Sequence, residues 1–276
     1  MSHLFRVWGP RASRVDLLLH DSRIAMQPAA GEWWEVLVDE PVPAGTRYAF
    51  SLEGGPALPD PRSAHQPEGV HGPSAIVDHA AFAWADQGWR GLSLPGAVLY
   101  ELHVGTFSPE GTFEGVAERL DHLVDLGIDA IEIMPVADFP GRFGWGYDGV
   151  DLFAPRQAYG GPDDLKRLVE ACHRAGLGVV LDVVYNHCGP SGNYLSQFGP
   201  YLSEQHGTQW GDQVNFDGPG AKEVRRFVVD NALQWLRDYH MDGLRLDAVH
   251  AIHDWSAVNL LEQMADEVSA LRAELR

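Results

Sequence analysis

From residue 98 onward, short apolar stretches alternate with longer ones in which apolar residues recur every three or four positions, and this rhythm restricts the fold more than any other feature of the chain. Residues 98–102, 130–134, 178–184 and 243–246 read as strands one to four. Residues 113–126, 163–175, 222–239 and 258–275 read as the helices between and after them. The spacing predicts buried faces of Val116, Leu120, Leu123 and Val124 on the first helix and of Leu165, Leu168, Val169 and Cys172 on the second. On the third it predicts Val224, Phe227, Val228, Trp235 and Tyr239. Gly127, Gly176 and Gly243 fall where helices end or strands begin. Strands separated by helices pair in parallel, because each helix carries the chain back to the same end of the sheet. Either a doubly wound sheet or a barrel satisfies that rule. The first strand-to-helix turn, 103–112, has no G-x-G-x-x-G phosphate loop, so the pattern predicts a (β/α)8 barrel. The long connections 135–162 and 186–220, rich in glycine and aromatic residues, follow strands two and three, at the end where a barrel builds its site.

The first ninety residues carry no helical period. Segments 5–8, 15–19, 33–38 and 48–52 suit strands, and Gly and Pro clusters at 9–10, 41–45 and 54–56 separate them. The chain therefore reads as multi-domain: a β-sandwich over 1–90, a Pro- and Gly-containing passage over 56–73, and the first four βα units of the barrel over 97–276.

Charge narrows the partners. Thirty-nine acidic against 20 basic residues give a net charge of −19, which disfavours nucleic acid and anionic membrane surfaces; a neutral substrate fits better, and solubility alone would account for the charge equally well. Cys172 and Cys188 make neither a disulfide framework nor a zinc set, and Cys172 reads as helix packing. No apolar run reaches the ~20 residues of a membrane span, and residues 1–10 lack the apolar core of a signal peptide, so the expected location is cytoplasmic. No cofactor or metal is expected, and the histidines show no zinc-type spacing. The nine tryptophans suit either core packing or platforms for sugar rings.

Chemistry concentrates at the strand ends. Strand four ends Gly243-Leu244-Arg245-Leu246-Asp247, and residues two apart on a strand point the same way. Arg245 beside Asp247 would keep that carboxylate ionised, as a nucleophile requires, although a structural ion pair has the same spacing. Strand three ends Asp182-Val183-Val184-Tyr185-Asn186-His187, gathering carboxylate, amide and imidazole where a sugar hydroxyl could be bound; Asn186 suits a turn equally well. Phe143-Gly144-Trp145-Gly146-Tyr147-Asp148 sets aromatics among glycines, a pattern of sugar-stacking loops and of tight structural loops alike.

Together these segments resemble the α-amylase superfamily, glycoside hydrolase family 13. The stretches 182–187 and 243–247 are similar to its first two conserved regions, in the right order, and Gly146-Tyr147-Asp148 precedes them as it does there. The resemblance covers nearly the whole chain, since 1–90 looks like the accessory sandwich of glycogen-branching and debranching relatives. Residues 58–63, 66–73 and 247–252 resemble the maltooligosyltrehalose trehalohydrolase branch, and His250-Ala251 stands where many α-amylases carry Lys-His. The resemblance implies Asp247 as nucleophile and Arg245 as its partner. It implies sugar contacts from Tyr147, Asp148, Asn186, His187 and His250, with Asp182 holding the framework. The implied reaction is retaining cleavage of the α-1,4 bond beside a terminal trehalose of a maltooligosyltrehalose or related α-glucan.

Retention needs a second carboxyl as general acid, expected at the end of a fifth strand. A barrel takes ~250 residues, more than 97–276 supplies. Glu274, in a charged helical pattern, reads as a solvated helix residue. The chain alone is therefore expected to be inactive. A branching or debranching enzyme, or a glucan-binding fragment without catalysis, are the other readings.

Overall fold

The computed structural model describes residues 2–274. It opens on two antiparallel sheets. Strands β1 (His3–Trp8), β2 (Val15–Leu19), β3 (Ser22–Ala25), β4 (Gln27–Pro28), β5 (Trp33–Val38), β6 (Arg47–Leu52) and β7 (Ser74–Ala75) pair in the orders β1-β5-β4 and β3-β2-β6-β7. Phe5, Val7, Val15, Leu17 and Phe50 are buried, and the rings of Phe5 and Tyr48 meet edge to face at 5.1 Å, joining one sheet to the other. The four expected strands are all present; the short β3, β4 and β7 were not anticipated.

After β8 (Leu99–Leu102) come α1 (Val104–Phe107), α2 (Phe113–Ala117), α3 (Leu120–Leu126) and β9 (Ala130–Ile133). The chain continues through β10 (Ala137–Asp138), β11 (Asp151–Pro155), α4 (Pro162–Arg174) and β12 (Gly178–Val183). It then runs through α5 (Leu195–Phe198), β13 (Leu202–Thr208), β14 (Gly211–Val214), α6 (Ala221–Asp238), β15 (Gly243–Leu246) and α7 (Leu260–Glu274). Strands β8, β9, β12 and β15 form one parallel sheet in the order β15-β12-β9-β8. The order is sequential throughout, without the reversal that marks a doubly wound sheet.

Three expectations need correction. The helix expected over 113–126 is two helices, because Arg119 turns its backbone N–H to the Val116 carbonyl at 3.0 Å while its own guanidinium takes the Gly115 carbonyl at 2.8 Å. The break rotates the second segment, and Val124, expected inside, is exposed. Both long connections hold antiparallel hairpins, β10–β11 and β13–β14. Residue 275, the expected end of the last helix, lies outside the described residues, as does the side chain of Glu274. The other expected helix faces are buried, Cys172 among them. No described helix is long and apolar enough to cross a membrane.

The first ninety residues pack against the connection after β12 and against α6. Trp8 meets Tyr201 at 5.2 Å, Phe50 meets Phe198 at 6.5 Å, and Arg62 pairs with Asp230 at 2.8 Å. The passage into β8 is pinned at the N-terminal end of the parallel sheet. There the buried His173 lies between Asp86 at 2.9 Å and Asp242 at 3.1 Å. Asp242 also accepts from the Trp89 indole at 2.7 Å and from the Val179 N–H at 2.8 Å. Trp89 stacks on His173, and His240 adds a second contact to Asp86 at 2.8 Å. Burial pulls the His173 pKa down, but its bonds to Asp242 and Asp86 outweigh this and hold it above 6.5. Burial likewise opposes the charges of Asp86 and Asp242, whose histidine bonds nevertheless hold both below 3.8.

Linkage then fixes the pH response. The histidine contributes fully below 6.5 and is lost as pH rises through its raised folded value, while the two aspartates contribute above 3.8 and are lost as pH falls through their lowered values. Thermal melts should show the network strongest in mildly acidic solution and fading as pH rises above 6.5. In His173→Gln the melting temperature should be lower at pH 6 and its decline above pH 6 flatter. Parallel pH profiles for the two proteins would contradict this.

Candidate active site

Register places the central residues. In the β12–β15 pairing Asp182 stands opposite Arg245, so two side chains from neighbouring strands meet at the C-terminal end of the sheet. One guanidinium nitrogen, Arg245 Nη1, donates to both oxygens of Asp182 at 3.0 and 2.9 Å and to Asp247 Oδ1 at 2.7 Å. Tyr147 donates its hydroxyl to Asp182 Oδ2 at 2.9 Å. Asp182 is buried, which raises its pKa against the pull of Arg245 and Tyr147. Desolvation works against the charge of Arg245, yet its bonds to Asp182 and Asp247 hold its pKa above the ordinary value. Burial, reinforced by the Asp182 carboxylate, pushes the Tyr147 hydroxyl up and keeps it a donor.

Asp247 lies just past β15, its N–H donating to the Val183 carbonyl at 3.0 Å. The next residue, Ala248, has φ 43° and ψ 47°, a left-handed conformation that costs a non-glycine residue on the order of 1 kcal/mol. The chain thus turns sharply beside the carboxylate, and Asn186 steadies the turn by donating Nδ2 to the Asp247 carbonyl at 3.0 Å. The Asn186 Oδ1 lies 2.5 Å from His187 Nδ1. Burial lowers the His187 pKa against the carboxylates of Asp148 and Asp247, favouring a neutral ring.

Two loops wall this centre. Gly146 has φ 97°, and a Cβ there would fall 2.1 Å from the Pro135 carbonyl oxygen; a Cβ on Gly144 would fall 2.5 Å from the Phe139 ring. The alternation of glycine with aromatic residues is therefore a packing requirement of this loop. It leaves Trp145 71% exposed and Tyr147 half-buried. From the other side the β13–β14 hairpin brings Trp210 over His187, ring centres 5.9 Å apart and nearly parallel, with its edge toward His250 at 6.4 Å. Val214 N–H to the Asn186 carbonyl at 3.3 Å and Gln213 Nε2 to the His253 carbonyl at 3.0 Å tie the hairpin to both neighbouring loops.

Asp182, Arg245, Asp247, Tyr147, Asn186 and His187 are thus joined by direct contacts. Asp148 is exposed and acts on His187 through its charge, and the exposed His250 is reached through Trp210. Sequence reasoning did not single out Trp210, Glu101 or Glu132. Glu101 and Glu132 are paired across β8 and β9, and their carboxylate oxygens lie within 4.8 Å of each other and of Asp182. Burial, with the charges of Glu101 and Asp182, raises the Glu132 pKa. The signal was a lone glutamate inside each apolar strand. Among the described residues these three carboxylates could together hold a cation, and oxygen donors of that kind suit a hard one.

A parallel sheet wound in sequence thus carries, at its C-terminal end, an arginine shared by two aspartates, with aromatic loops around it. The family model "Alpha amylase, catalytic domain" matches residues 74–211, and the chain belongs to that family. It is 51% identical over its whole length to a malto-oligosyltrehalose trehalohydrolase of Arthrobacter ramosus, covering 48% of that protein. To the enzyme of the same name from Mycobacterium tuberculosis it is 50% identical, over 98% of this chain and 47% of the relative. A crystal structure from Salmonella typhimurium assigned to the alpha amylases superposes with a TM-score of 0.93 at 42% identity, over 98% of this chain and 46% of that one. The chain spans about half the length of the curated relatives it matches.

Arg245→Met tests the electrostatics. Without the guanidinium, Asp182 is left as a buried carboxylate without its cation, a loss of about 3 kcal/mol at pH 7. Because burial already raises its pKa, protonation should relieve the penalty, and the deficit in melting temperature should shrink toward pH 4. A deficit independent of pH would show that the arginine serves packing alone.

Proposed function

We propose that this chain is the nucleophile-bearing half of a retaining glycoside hydrolase that releases trehalose from maltooligosyltrehalose. In this reading residues 1–90 are an accessory β-sandwich and 97–276 the first four βα units of a (β/α)8 barrel, whose sequential strand order fits such a barrel. The observation that carries the chemistry is the Arg245 nitrogen held between Asp182 and Asp247. The substrate rests on the likeness to trehalohydrolases along the whole chain.

Asp247 attacks the anomeric carbon, and Arg245 aims it through their 2.7 Å hydrogen bond. Asp182 fixes Arg245 from below. His187 binds the sugar in the cleaved subsite, with Asp148 beside it. Asn186, buried with both ends of its amide engaged, shapes the neighbouring wall by holding the Asp247 turn and the His187 ring. Tyr147, Trp145 and Trp210 offer ring faces to the glucan, and His250 shapes the wall next to Trp210. The leaving oxygen must be protonated by a second carboxyl about 5–5.5 Å from the nucleophile, which we assign to residues outside these 276. The chemistry runs on carboxyl groups, without a metal or cofactor. A cytoplasmic location and no nucleic-acid or membrane partner belong to the same reading, consistent with a net charge of −19. A branching or debranching activity is the second reading, favoured by the resemblance of the front domain to those relatives.

Two outcomes are expected. The 276-residue chain should bind maltooligosaccharide but release no trehalose. Extended with the C-terminal half of the Arthrobacter ramosus relative, it should release trehalose from maltooligosyltrehalose far faster than it cuts plain maltooligosaccharide. Glucan transfer, or cleavage only at α-1,6 branches, would favour the second reading. In the extended protein Asp247→Asn should lower kcat by several orders of magnitude with binding largely kept. A near-normal rate would reject Asp247 as nucleophile.

A further inference from the structure

The aromatic loop has an unusual internal support. From 139 to 150 the backbone follows neither helix nor strand, and Phe143 and Trp145 stand 85% and 71% exposed. Chain of this kind, rich in glycine and turned toward solvent, has few ladder bonds to hold one shape. Arg156, at the end of β11, is buried beneath it. Its Nη1 donates to the Phe139 carbonyl at 2.6 Å and to Asp138 Oδ1 at 3.2 Å. Its Nη2 donates to the Gly141 carbonyl at 2.5 Å and to the Arg142 carbonyl at 3.4 Å. The guanidinium also lies on the Phe139 ring at 3.7 Å. Three loop carbonyls, those of Phe139, Gly141 and Arg142, thus converge on one cation. At the far end His103 Nε2 contacts the Gly144 carbonyl and the Tyr159 hydroxyl, each at 3.0 Å, next to the Trp145 ring.

We propose that Arg156 is a positioning residue of the glucan site, acting through the carbonyls of 139–142 to hold Trp145 and Tyr147 where a sugar ring meets them. The inference rests on the glucan-site reading above. Only a planar fork with several donors can serve carbonyls spread over this arc; a lysine ammonium, a single point of charge, retains the attraction to Asp138 and loses most of the carbonyl bonds. Charge-assisted bonds to carbonyls are stronger than neutral ones, so they can fix a loop that its own residues cannot. Arg156 touches no sugar. It sets the angle of the platform, and its loss should be felt where the aromatic rings bind.

The test uses Arg156→Lys, with Arg156→Gln as a neutral variant that still donates to carbonyls, in the 276-residue chain. Three readouts are taken: the melting temperature, the rate of tryptic cleavage after the exposed Arg142, and the affinity for maltotetraose, alone and combined with Trp145→Ala. Cleavage after Arg142 should accelerate by about tenfold or more in a protein that still melts cooperatively, and maltotetraose should bind about tenfold more weakly. Trp145→Ala should also weaken binding, but adding it to Arg156→Lys should cost little more, because a displaced platform is already lost. A purely structural arginine would give additive losses. Unchanged cleavage and affinity in a folded variant, or strict additivity, would overturn the proposal. If the unsubstituted chain bound no maltotetraose while the variants were still cleaved faster, the glucan reading would fail and the brace alone would stand.

Discussion

A single guanidinium nitrogen, Arg245 Nη1, is shared between a buried carboxylate and a half-exposed one, and most of what surrounds it serves to keep it there. Sharing requires that β12 and β15 pair in a register that sets Asp182 opposite Arg245. A slip of one residue would turn every side chain of β15 to the other face and leave Asp182 buried without a cation, at a cost of several kcal/mol. The apolar residues Leu244 and Leu246, which must face the other way, help enforce that register. Sequence, register and charge are therefore one constraint seen at three levels.

The two ends of the parallel sheet divide their tasks. At the C-terminal end the backbone adopts costly or crowded shapes, Ala248 with positive φ and Gly146 against the Pro135 carbonyl, beside the side chains of the candidate site. At the N-terminal end the bonds are redundant. Asp242 alone accepts from Trp89, Leu92, Val179 and His173, and His173 reaches Asp86 on the passage from the first sheets. A sheet anchored firmly at one end can tolerate irregular loops at the other, where binding and catalysis need them. The packing of Trp8 and Phe50 on Tyr201 and Phe198 extends the same support to the connection that carries Trp210.

Regular elements were legible because their period is local. The strands over 15–19, 33–38 and 243–246 were read to the residue, and the helices over 163–175 and 222–239 to within one. The break at Arg119 was not, since a long side chain competing for one carbonyl leaves the apolar period of 113–126 intact. Arg245, Asp247 and the Asn186-His187 pair were found because strand alternation and a familiar motif both pointed to them. Trp210 and Arg156 were missed for the opposite reason. Each acts from an irregular connection across a contact distant in sequence, and neither periodicity nor spacing encodes where a hairpin tip or a buried guanidinium will land. Glu101 and Glu132 were legible in principle, as charged residues inside apolar strands.

The central claim, that Asp247 is poised as a nucleophile by Arg245, can be tested independently of any general acid. A maltooligosyl fluoride carrying a second fluorine at C5 needs no proton donor, because fluoride leaves as the anion when the carboxylate attacks C1. Incubation with the chain followed by mass spectrometry of its peptides should show one glycosyl ester, on Asp247, absent from Asp247→Asn and strongly reduced in Arg245→Met. An ester on another carboxyl, or none under conditions where the chain binds the sugar, would contradict the assignment.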